Sequence, residues 1–158
     1  MYSHIVVPLD GSDNSERALP HAQNMGKGFS TTLYLVQVVS RAEELDLMRD
    51  GVGSFAVAEY SRDVAQELIN TRLARAEEYL KGVASGLEAQ GISVKTTVLE
   101  GAAAENIIEY SQENNADLII MSTRGQGGIQ RLLVGSTTDR VIRSGHVPVL
   151  AIPPEDED

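Results

Sequence analysis

Four times along this chain a run rich in apolar and β-branched residues gives way to a turn and then to apolar residues at helical spacing, and a fifth run closes the series. The runs are Ile5–Leu9, Thr31–Val39, Ile92–Val98, Asp117–Met121 and Val147–Ile152. Strand-length runs separated by helical patterns fold as a parallel sheet with helices packed on both faces, because parallel neighbours need a crossover and both sheet faces must be covered. Between the first two runs, Asp13 can cap a helix with Glu16 three residues on, Ala18, Leu19, Ala22 and Met25 continue it to Gly26, and Pro20 is expected to kink it. A long helix is marked by Val64, Leu68, Leu73, Ala76, Leu80, Val83 and Leu87 and closes near Gly91, and two shorter helices are expected near Glu105–Asn114 and Ser136–Ser144. From Ser40 to Phe55 no period dominates, and a loop of that length suits a lid or a contact surface.

Strand order follows from how wet each run is. The first, second and fourth runs are continuously apolar and read as buried on both faces. The third alternates Ile92, Val94, Thr96 and Val98 with Ser93, Lys95 and Thr97, and the fifth carries Pro148; both features suit a sheet edge. The order 3-2-1-4-5 satisfies all five and defines a doubly wound α/β fold. In such a sheet a ligand sits beyond the carboxyl ends of the strands where the connectivity reverses, here where Pro8–Ser12 faces Met121–Ser136. The 158 residues suffice for one core and show no internal repeat. Residues 1–152 read as a single domain and 153–158, with the run Glu155–Asp158, as an acidic tail.

Several functional classes are disfavoured. A formal charge of −10 opposes sequence-independent nucleic-acid binding and docking on anionic membranes. No apolar run approaches the roughly 20 residues of a membrane span and no secretory signal opens the chain, so a cytoplasmic protein without membrane insertion is expected. The absence of cysteine removes disulfides, thiolate catalysis and cysteine zinc sites, and His4, His21 and His146 have no metal-like spacing.

The chemistry concentrates in Met121, Ser122, Thr123, Arg124, Gly125, Gln126, Gly127 and Gly128, followed after Ile129–Val134 by Gly135, Ser136, Thr137 and Thr138. Glycines let backbone N–H groups approach a polyanion, and Gly135–Thr138 stand at a helix N-terminus, where free N–H groups and the helix dipole attract phosphate. The Ser136 and Thr138 hydroxyls can add donors. Neither a Walker loop nor the dinucleotide GxGxxG spacing is matched. From spacing alone the glycines can equally form turns and Ser136 can simply cap a helix.

This segment resembles the signature of ATP-binding universal stress proteins: Gly, two residues, Gly, nine residues, Gly, then Ser or Thr. Gly125, Gly135 and Ser136 match, while Ser122 stands where the first glycine belongs. VVPLDGS, ADLIIM, RLLVGSTTDRVIR and VPVLAI resemble the family as well, so the likeness spans essentially the whole chain. It implies that Pro8 and Asp10 flank adenosine, with Asp10 accepting from a ribose hydroxyl, and that Val38 borders the adenine. Met121 and Ser122 would line the nucleoside, and Gly125, Gly135, Ser136, Thr137 and Thr138 would hold the phosphates. The implied ligand is ATP, with AMP and ADP as alternatives and Mg2+ or Mn2+ bridging the phosphates. Asp10 retains the simpler reading of a turn former before Gly11, and Lys27, Arg140 and Arg143 read as surface residues.

The function expected is a nucleotide-dependent regulatory or stress-response module whose loop, when occupied, changes the surface offered to a protein partner. With no second carboxylate beside Asp10, no catalytic residue is named. A slow ATPase or phosphotransferase and a nucleotide-free interaction dimer are the alternatives. The open apolar edge Val147–Ile152, like the family resemblance, implies a homodimer paired antiparallel through that strand.

Overall fold

The computed structural model describes residues 2–28, 30–41, 55–123 and 135–154, with the backbone alone for 55–61. Five parallel strands, β1 (His4–Pro8), β2 (Thr32–Val39), β3 (Ser93–Glu100), β4 (Leu118–Ser122) and β5 (Val149–Ile152), form one sheet in the order β3-β2-β1-β4-β5. The order expected from the hydrophobic pattern is the order found. Ile5, Val6 and Val7 of β1 and all five residues of β4 are buried, whereas β3 and β5 are largely half-buried or exposed, as edges should be.

Five helices lie among the described residues: α1 (Asp13–Glu16), α2 (Ala18–Gly28), α3 (Phe55–Glu88), α4 (Ala103–Glu113) and α5 (Ser136–Ser144). Strand alternation sends side chains to two separate cores. Ile5, Val7, Leu33, Leu35, Leu118 and Ile120 pack with Ala18 and Ala22 of α2 and with Leu80, Ala84 and Leu87 of α3. Val6, Tyr34, Val36, Ile119 and Met121 pack on the other face with Ala104 and Ile107 of α4 and Val141 of α5. The sheet is therefore the middle of three layers.

Several expected boundaries shift for identifiable reasons. The N-cap of α1 is Ser12, not Asp13: its side chain accepts from Ser15 N, 3.1 Å away, which makes Asp13 the first helical residue. Glu16 then falls one position beyond the capping-box partner. Pro20 does not kink a continuous helix; the chain breaks at Arg17 instead. Proline withholds the N–H that would bond the Glu16 carbonyl, and it sits in the first turn of α2, where its missing donor costs little. β5 begins at Val149 rather than Val147. Pro148 precedes it and contributes only its carbonyl, which accepts from Ile119 N at 2.9 Å. α3 begins at Phe55, nine residues before the first periodic position; of the irregular stretch that precedes it, residues 42–54 lie outside the described part.

Leu80 is fully buried where α3 meets the sheet. Leu80→Ala is expected to lower the unfolding free energy by about 2–5 kcal/mol, read from urea denaturation, by loss of transfer energy and the cavity left behind.

Candidate functional site

β1 delivers its last residues to the centre of the sheet, where Pro8 pairs with Val36 and Leu9 N donates to the Val36 carbonyl at 2.8 Å. The chain then turns through Asp10, Gly11 and Ser12. Gly11 has φ +80°, a left-handed conformation that L side chains rarely adopt. Asp10 Oδ1 accepts from Ser12 N at 2.9 Å and from the Ser12 hydroxyl. Ser15, buried, accepts from Asp10 N at 3.2 Å and donates to the Ser12 carbonyl at 2.9 Å. The turn-forming role of Asp10 is thus present in full: two bonds from Ser12 hold its carboxylate at the carboxyl end of β1, and two through Ser15 brace the turn.

Opposite this turn, β4 ends in Met121 and Ser122, both buried, and Thr123 follows, also buried. The two sides are joined at Ser122. Asn14 Nδ2 donates to Ser122 Oγ at 3.3 Å, and Thr138 Oγ1 donates to the Ser122 carbonyl at 2.8 Å. The Thr138 hydroxyl proton, expected from the sequence to be available to a phosphate, is instead directed at the sheet. Gly135 is the N-cap of α5 with φ −65° and ψ 153°, supplies no side-chain cap, and donates its N–H to the Thr123 carbonyl. Ser136 is exposed and Thr137 half-buried in the first turn. The helix dipole and the first-turn N–H groups suit that turn to an anion.

Val38 lies two residues beyond Val36 on β2, beside Leu99 of β3, half-buried against the core that α4 and α5 cover. Pro8, Asp10, Met121, Ser122, Gly135, Thr137 and Thr138 converge on the reversal between β1 and β4, with Val38 one strand away. Gly125 and the rest of 124–134 lie outside the described residues.

Asn14 and Ser15 stand outside the residues expected here, and Ser12 and Thr123 lie within the expected segments without an assigned role. Ser12 and Ser15 were legible as cap spacing, but Asn14 and Thr123 carry no local signal. Thr123 Oγ1 is buried with no hydrogen-bond partner among the described residues. A further contact reaches the turn from α3: Tyr79 donates its hydroxyl to Glu16 Oε1 at 2.9 Å, and burial, reinforced by Glu16, pushes that hydroxyl well above the ordinary tyrosine range.

Residues set aside as peripheral are peripheral. Lys27 Nζ donates to Gln90 at 2.7 Å, Arg140 pairs with Glu105, and Arg143 pairs with Asp139 at 2.8 Å. His4 packs edge-on against Tyr34, while His21 and His146 are exposed. Among the described residues no cluster of three or more histidine or acidic side chains is placed to hold a metal ion, and no helix is long and apolar enough to cross a membrane.

A parallel sheet whose connectivity reverses between β1 and β4, with the Asp10 turn on one side of that reversal and the start of α5 on the other, defines a doubly wound α/β domain. The sequence profile described as the universal stress protein family matches residues 1–153. The chain is 36% identical over 152 residues to universal stress protein MJ0531 of Methanocaldococcus jannaschii, covering 96% of this chain and 82% of that one. Its fold matches the solved structure of MJ0577 with a TM-score of 0.85 and 25% identity over 99% of each chain. It also matches the universal stress protein of Archaeoglobus fulgidus in complex with dAMP, with a TM-score of 0.59 and 19% identity over 95% of this chain and 97% of that one, a likeness of fold. The chain belongs to the universal stress protein family.

Thr123→Val keeps the shape of the side chain and removes a buried hydroxyl that has no partner among the described residues. It is expected to stabilise the ligand-free protein by about 1 kcal/mol in urea denaturation, since an unsatisfied buried polar group costs roughly 1–3 kcal/mol.

Proposed function

We propose that the protein is an adenine-nucleotide-binding regulatory module, with ATP as the ligand, acting in the cytoplasm as part of a stress response. The observation that carries this reading is the pair of bonds at Ser122, from Asn14 and from Thr138, which hold the Asp10 turn and the first turn of α5 against the same strand end. A carboxylate that can accept from a ribose hydroxyl and a set of helix N–H groups that can receive phosphate then stand on opposite sides of one crevice. The family relative that holds dAMP supports an adenine nucleotide as the class of ligand.

In this reading Pro8, Met121 and Ser122 line the nucleoside, Val38 borders the adenine and Asp10 receives the ribose. Gly125, Gly135, Ser136, Thr137 and Thr138 would take the phosphates, and Mg2+ or Mn2+ would offset the phosphate charge there. Binding, not turnover, is the function, and occupancy alters the surface offered to a protein partner. β5 is an edge strand with Val149 and Leu150 half-buried, and we infer that it pairs antiparallel with its copy in a homodimer.

Denaturing freshly purified protein and identifying the released nucleotide by chromatography is the direct test. The expected result is a near-stoichiometric adenine nucleotide in the wild type and a loss of at least ten-fold in Gly135→Val, whose branched side chain crowds the first-turn N–H groups of α5. Equal retention by the variant, or a wild type that neither carries nor takes up ATP, would overturn the reading. For the dimer, sedimentation at micromolar concentration is expected to give twice the chain mass, and a monomer would contradict it.

A further inference from the structure

α1 is a single turn of four residues, too short to be stable by its own hydrogen bonds, yet its N-cap Ser12 and its Ser15 bond Asp10, and its Asn14 reaches Ser122. Its far end is held from another layer element. Tyr79 of α3 is half-buried and packs at the margin of the core, where a tyrosine commonly keeps its hydroxyl toward water. Here the hydroxyl donates to Glu16 Oε1 at 2.9 Å. A phenylalanine would fill the same space, so the hydroxyl's contribution is this bond. Glu16 is available for it because the cap falls at Ser12, which leaves Glu16 outside a capping box.

We propose that Tyr79 is a positioning residue for the nucleotide site: by anchoring Glu16 it holds α1, and with it the turn that presents Asp10 to the ribose. The proposal rests on the nucleotide-binding reading above. It gives the long helix α3 a direct mechanical link to the ligand side of β1, a link that no local sequence motif marks.

The test titrates ATP calorimetrically into four full-length proteins: wild type, Tyr79→Phe, Asp10→Ala and the double variant. Amide hydrogen exchange is measured at Ser12 and Ser15 in the nucleotide-free wild type and Tyr79→Phe. Tyr79→Phe is expected to weaken ATP binding about three- to ten-fold, the net worth of one hydrogen bond, and to speed exchange at Ser12 and Ser15. In the Asp10→Ala background the same substitution should cost nothing further, because the group it positions is gone. An equal loss in both backgrounds would mean general loosening and would overturn the proposal. So would wild-type affinity and exchange in Tyr79→Phe, which leave the functional reading standing. A wild type that binds no ATP removes the functional reading and the ligand role of Tyr79 with it, while the exchange data still show whether Tyr79 holds the turn.

Discussion

Two interior strands of this sheet, β1 and β4, have no wet side. Burying Ile5, Val6 and Val7 together with all five residues of β4 obliges the chain to cover both faces, so α2 and α3 lie on one face and α4 and α5 on the other. Because the chain winds outward from β1 in one direction and outward from β4 in the other, the loops leaving these two strands diverge. The crevice between them follows from that burial, and the residues at its rim are placed by the sheet before any of their own chemistry counts.

Polar groups then do locally what apolar burial cannot. The turn after β1 is too short for packing to define it, and its order comes from the mutual bonds of Asp10, Ser12 and Ser15. Those bonds secure the turn internally. Asn14 to Ser122 on one side and Glu16 to Tyr79 on the other are among the cross-links that tie it to the rest of the molecule. Each bond is worth only about 1 kcal/mol net, yet a one-turn helix has so little stability of its own that bonds of this size decide its position.

Most of the fold was legible because continuous apolar runs such as Val36 with its neighbours and Leu118–Met121 admit few alternatives, and the wetness of β3 ranked it at an edge. Boundaries were less legible where several residues compete for one role. In Asp10-Gly11-Ser12-Asp13 three side chains can cap a helix, and the Ser12–Ser15 bond, not composition, decides among them. The effect of Pro20 was displaced to Arg17 because a proline acts on the carbonyl four residues earlier. The Asp10 turn and the start of α5 at Gly135 were legible in the sequence because both are local features. Asn14, Thr123 and Tyr79 were not, since each matters through a partner or an environment distant in the chain, and no spacing rule encodes such meetings.

Ser122 shows how a departure from a family pattern is absorbed physically. Strand alternation sends Met121 to the face of α4 and α5 and Ser122 to the face of α1 and α2, so the hydroxymethyl group points toward Asn14 rather than toward α5. Its backbone carbonyl is meanwhile held by Thr138 from the other layer. A glycine at this position would keep the second bond and lose the first, weakening the link between the Asp10 turn and β4. Serine instead makes one residue the meeting point of both rims of the crevice. In the nucleotide-binding reading proposed above, two rims already fixed against one strand end leave a ligand less ordering to impose, so that affinity would come through pre-organisation rather than through additional contacts.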